Sequence, residues 1–160
     1  MKFFTMQWWS GIPEGDSGAD PFASYHARLA AIRDQLPADL VALQESISLH
    51  DGRLRELEHL PSAGTLRMLV DGDDGQGGLR RFTLHYRAVN LFRSVAETDE
   101  GFPRPRGYGD WGYDEADVTE EGELVHRILF SSGIEFEVQF MGFELTWQDI
   151  AEPGAADGAS

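Results

Sequence analysis

A chain of 160 residues with 41% hydrophobic content is long enough to bury a core as one domain, and that content excludes wholesale disorder. The absence of cysteine removes disulfides, thiolate nucleophiles and cysteine metal sites together. A formal charge of -15, from 13 basic and 28 acidic residues, opposes nucleic-acid phosphate and anionic lipid and favours basic partners.

In chain order, Thr5 is placed to cap a short helix carrying Met6, Trp8 and Trp9. A loop follows over 11–18. Asp20-Pro21 then opens a second helix, with Phe22, Tyr25, Leu29 and Ile32 on one apolar face. Pro37 interrupts it, and 38–45 continues helically with Leu40, Val41 and Leu43. Near Ser46 the period changes. Strands are predicted at 53–60, 65–71, 79–86, 88–95, 123–131 and 134–147, with a short one over 113–118.

The acidic, glycine-rich run from Asp71 to Gly78 reads as a flexible hairpin loop, and Ser131-Ser132-Gly133 as a tighter turn. In the last strand, Ile134, Phe136, Val138 and Phe140 alternate with polar residues, and the apolar set then moves to Phe143, Leu145 and Trp147. That slip of one residue flips every side chain unless a bulge or bend absorbs it.

Helices grouped before strands predict an α+β domain over 1–150, helical over 5–45 and β-rich over 52–148. The expected architecture is N-terminal helices packed on a mainly antiparallel, strongly curved sheet, with a sandwich as the alternative. Residues 151–160 read as a flexible tail. The N-terminus lacks the apolar core and cleavage site of a signal peptide, and no run reaches a membrane span, so the chain reads as cytoplasmic.

Candidate chemistry is sparse. His50-Asp51 has the two-letter core of metal phosphohydrolases but lies at a helix-to-strand boundary before Gly52. There it reads as a turn in which Asp accepts backbone hydrogen bonds, Gly takes the unusual angles and His50 braces. His26, His59, His85 and His126 never share a helix at zinc-pair spacing, although His85 and His126 could meet across a sheet face, with Glu123 as a nominal carboxylate. Asp71-Gly72-Asp73-Asp74-Gly75 lacks the spaced glutamate of the helix-loop-helix calcium motif. Gly75-Gln76-Gly77-Gly78 leads into a strand, where a phosphate cradle needs a helix. No Gly-x-Ser-x-Gly elbow occurs, and nothing implies a cofactor. The irregular stretch 101–115 is the strongest binding candidate, because Tyr108, Trp111 and Tyr113 suit contact anchors and Arg104 and Arg106 sit beside an acidic run. The alternative is that these aromatics fold back over the sheet edge.

The opening Met1-Lys2-Phe3-Phe4-Thr5 with Trp8-Trp9, together with Leu49-His50-Asp51-Gly52 at a strand start, resembles an uncharacterised bacterial domain family that begins Met-Lys-aromatic-Phe-Thr. It is more loosely similar to small β-rich immunity-type proteins. The resemblance implies a helical segment before a mostly β half and carries over no catalytic residue or cofactor. It favours a binding role. The leading expectation is therefore a non-enzymatic acidic interaction domain, an immunity-type neutraliser of a basic protein. The alternatives are a small-molecule binder with Trp8, Trp9 and Trp111 around a pocket, and a metal-dependent hydrolase using His50 and Asp51.

Overall fold

In the computed structural model, residues 1–15, 18–96 and 107–151 are described. Arg104, Arg106 and the tail beyond residue 151 lie outside them. Three helices come first: α1 (Met6–Gly11), α2 (Phe22–Ile32) and α3 (Ala38–Glu45). The strands follow as β1 (Arg53–Leu60), β2 (Thr65–Asp73), β3 (Leu79–Arg87), β4 (Leu91–Ala96), β5 (Trp111–Val118), β6 (Leu124–Phe130), β7 (Ile134–Phe140) and β8 (Gly142–Ile150). The fold is α+β. Its strands form two four-stranded antiparallel sheets, in the orders β1-β2-β3-β8 and β4-β7-β6-β5.

The alternation visible in the sequence becomes the facing surfaces of the two sheets. Leu66, Met68, Val70, Phe82, Leu84 and Tyr86 contribute from the first sheet. Trp111, Ile128, Phe130, Phe136, Val138 and Phe140 contribute from the second, and each of these twelve is at most 1% exposed. Ring contacts join the layers, as in the Tyr86–Phe140 pair at 4.9 Å. Strand β1 spans the second sheet from edge to edge. It starts at the Arg53–Asp110 bridge beside β5, and near its end His59 packs on Phe92 of β4.

The slip of parity in 134–147 marks a change of sheet. β7 lies between β4 and β6, whereas β8 pairs with β3, and exposed Met141 is the single residue between them. Inward means opposite directions in two facing sheets, so a chain crossing from one to the other must shift its apolar positions. The Met141 amide donates to the Arg87 carbonyl at 3.1 Å at this corner.

The helices close the β5 and β8 edges. Tyr25 of α2 accepts from the Ala116 amide at 2.7 Å, and Asp39 of α3 accepts from the Leu145 amide at 2.9 Å. These bonds occupy donors that an edge strand would otherwise present to another chain. α1 begins as expected, with Thr5 Oγ1 accepting from the Trp8 amide, and Asp20 accepts from the Phe22 amide at 2.9 Å. Phe22 departs from its expected place: it is 38% exposed, while Tyr25, Leu29 and Ile32 are buried.

The outward faces differ. The first sheet is polar outside, where Asp71 takes Arg81 at 2.6 Å and Arg55 at 2.8 Å. These two arginines, not a cation site, occupy the first acid of the glycine-rich run, and Asp74 accepts from the amides of Gln76 and Gly78 to hold the hairpin. The second sheet is covered by the start of the chain. Buried Glu115 accepts from the backbone amides of Lys2 and Phe3, and Asp117 takes Lys2 and Arg28.

Candidate functional site

Where α2, α3 and β5 meet, the chain leaves a cleft of about 420 Å³. Phe4, Phe22, Tyr25, His26 and Tyr113 line it together with Gln44, Ile47, Ser48, His50 and Asp114. Its polar groups are brought together by one local irregularity in β5. The pairing of β5 with β6 shifts between Trp111 and Tyr113, so Gly112 is an inserted residue. Without it, Trp111 and Asp114 would face opposite sides of the strand. With it, both face inward, beside β6 positions 130, 128 and 126. Only glycine fits there, since a Cβ would stand 2.3 Å from the ring of Trp9 and 2.9 Å from the Leu129 carbonyl.

Asp114 is thereby the hub of a hydrogen-bonded chain. Its Oδ2 accepts from His126 Nε2 at 2.8 Å and from Gln44 Nε2 at 2.5 Å, and its Oδ1 from Trp111 Nε1 at 3.1 Å. An ionised carboxylate only accepts, so Nε2 of His126 carries a proton. The other ring nitrogen, Nδ1, lies 2.7 Å from the hydroxyl of Tyr86. Burial raises the Tyr86 phenol well above its ordinary value, so the hydroxyl keeps its proton, and as a hydroxyl it can donate to an unprotonated Nδ1 or accept from a protonated one. On the other side, Tyr25 donates to Gln44 Oε1 at 2.5 Å while accepting from Ala116. Burial also raises Tyr25, outweighing the opposing effect of the Ala116 amide. Tyr86 and His126 are fully buried, whereas Asp114 reaches the cleft with its side chain 16% exposed. Among the described residues, no buried side-chain polar atom lacks a partner.

Around this hub the rings form a wall. Tyr113 stacks on Phe4 at 5.2 Å and meets the edges of Trp8, Trp9 and His50 at 5.0–5.3 Å. Burial, and behind it the charge of Asp51, raises the Tyr113 phenol.

The expected site residues separate. Tyr113 lines the cleft, but Tyr108 packs elsewhere, on Phe130 and Phe136. Trp111 is 0% exposed in the core and is no surface anchor; its indole reaches Asp114 from beneath. Trp8 and Trp9 stand behind the lining rings. His50 also lines the cleft, with Nδ1 3.2 Å from Asp51 Oδ1. The turn there is built differently from expectation. Asp51 holds the left-handed angle, at φ 65°, and Gly52 is required because a Cβ would lie 2.7 Å from the Leu49 carbonyl. Among the described residues, no group of three or more histidines and carboxylates is arranged to hold a metal ion. His85 and His126 belong to different sheets, and it is Tyr86, the neighbour of His85, that meets His126.

Gln44, Asp114 and Tyr86 were not singled out by sequence reasoning, and His126 was singled out only as a partner for His85, with Glu123 rather than Asp114 as its carboxylate. The available signal was Gly112, a glycine inside a strand pattern beside an inward tryptophan. Compared with protein-family models, with curated proteins and with solved structures, the chain has no match.

Proposed function

We propose that this chain is a binding domain whose cleft between α2, α3 and β5 takes a small organic molecule. The observation that carries the reading is a concave wall, aromatic at Phe4, Phe22, Tyr25 and Tyr113, converging on one partly exposed acid, Asp114, held by three hydrogen bonds. Ligand sites combine an apolar lining with a few fixed polar groups in this way, within a volume of roughly 300–1,000 Å³. The hydrogen bonds from Trp111, His126 and Gln44 hold the carboxylate in one orientation, which is what a preorganised contact requires.

This reading ranks above the acidic protein-interaction role because, of the loop aromatics that role drew on, Tyr108 packs on Phe130 and Phe136 and Trp111 is inside the core, while Tyr113 lines the cleft. The small-molecule reading keeps the cleft although Trp111, expected around a pocket, is not in its wall. It ranks above a hydrolase because, among the described residues, the carboxylate paired with His50 is exposed Asp51 and no group of three or more histidines and carboxylates could hold a metal. The test is a fragment screen by amide-resolved NMR on the whole chain. Binders should shift the amides of Gly112, Tyr113, Asp114, Gln44 and His50 as one group. Shifts scattered over the outer faces of the sheets, with that group unmoved, would reject the cleft as the site.

A further inference from the structure

The buried and half-buried acids of this protein are matched by formal cations at almost every other place. Asp71 has Arg55 and Arg81, Asp117 has Lys2 and Arg28, and Glu137 has Arg93 and Arg127. Glu115 has Arg127 in addition to backbone amides. Asp114 is different. Its hydrogen-bond donors are an indole, a carboxamide and an imidazole, with no arginine or lysine among them. They orient the carboxylate without the arginine or lysine that the other buried acids have, and it sits at the cleft wall. Three donors also leave one of its roughly four acceptor positions open, on Oδ1.

The surroundings favour the same sign of ligand. The exposed ring of Phe22 and the partly buried ring of Tyr113 line the cleft, and aromatic faces attract cations through their quadrupoles. Asp51 adds a second negative charge close enough to act on Tyr113. The chain as a whole, at -15, draws cations toward it. Among the described residues, no arginine or lysine lines the cleft. We infer that the ligand is an organic monocation, an aryl- or alkyl-ammonium, with its N–H donors on Asp114 and its apolar body against Phe22 and Tyr113.

This inference rests on the cleft being a ligand site, and the experiment separates the two. Three near-isosteric probes are titrated by calorimetry and amide-resolved NMR at about pH 8 and low salt: 2-phenylethylammonium, 2-phenylethanol and phenylacetate. The cation is expected to bind about tenfold or more tighter than the alcohol, with phenylacetate weakest. Its lead should narrow as salt rises. In Asp114→Asn, which keeps an acceptor for His126, cation and alcohol should converge to within about twofold. The ladder in the unaltered chain decides the matter even where that variant folds poorly. Equal binding of all three at the cleft amides, or tightest binding of phenylacetate, would overturn the cationic ligand and leave the cleft as a binding site. Failure of all three to move those amides would overturn both readings.

Discussion

Gly112 decides what Asp114 can do. An edge strand ordinarily alternates, and Trp111 and Asp114 are three positions apart, so a regular β5 would send one of them outward. The inserted glycine lets the indole fill the core while the carboxylate joins His126 and Gln44 on the same side. It also lets the Trp9 ring reach the strand, where a Cβ would stand 2.3 Å from it. Gly112→Ala is therefore expected to displace Trp9 and cost about 1–3 kcal/mol, the usual range for overpacking. The displaced indole should change tryptophan emission, and urea unfolding gives the stability loss. A variant with unchanged emission and midpoint would show that the strand tolerates a Cβ there and that the bulge is not held by Trp9.

At the scale of elements, the helices act as caps on open sheet edges, and this is a second place where one carboxylate does two things. Asp39 lies in the first turn of α3, where negative charge meets the positive end of the helix, and it also accepts the Leu145 amide of β8. Asp39→Asn keeps an acceptor and loses the charge, so a loss of about 0.3–1 kcal/mol is expected. Asp39→Ala also strands the Leu145 donor and should cost roughly 1 kcal/mol more. Denaturant titration of the two variants separates the terms; equal losses would mean that Leu145 finds water instead. Much of this element layer was legible in the sequence. The strand at 53–60, the Thr5 cap and the helix at 38–45 follow from local alternation and capping chemistry, which need no knowledge of partners. The slip between Phe140 and Phe143 was also legible, but its cause was not: a bulge, a bend and a change of sheet all shift parity by one, and only pairing with β3 distinguishes them. The site was the least legible part. Asp114 in the sequence is one acid in an acidic run, and its distinction comes from Gln44 and His126, brought to it by α3 and β6 from 70 and 12 positions away.

For the molecule as a whole, these buried groups set limits on stability at both ends of the pH scale. On the acid side, the Arg81 and Arg55 hydrogen bonds hold Asp71 below the ordinary carboxylate range; the Arg81 bond is the largest effect and burial opposes it. At Asp117, burial alone would raise the carboxyl, but Lys2 and Arg28 outweigh it and keep it far down. A carboxyl depressed on folding stabilises the native state above its unfolded pKa, about 3.9 for Asp, and that contribution fades as pH falls toward the folded value. Acid unfolding should therefore set in below about pH 4 and shift upward in Arg81→Gln. On the alkaline side the sign reverses. Tyr25 and Tyr86 have phenols raised by burial, so above about pH 10 the unfolded chain loses protons that the native state retains. Stability then falls with rising pH, by up to about 1.4 kcal/mol per pH unit for each tyrosine. Tyr86→Phe should remove one such share of the slope, although it strands His126 Nδ1 and lowers stability at neutral pH by about 1–3 kcal/mol. Urea midpoints measured from neutral pH to about pH 11 check both effects, because the variant curve must start lower and descend less steeply. A variant that descends in parallel with the parent would mean that the Tyr86 hydroxyl ionises inside the fold.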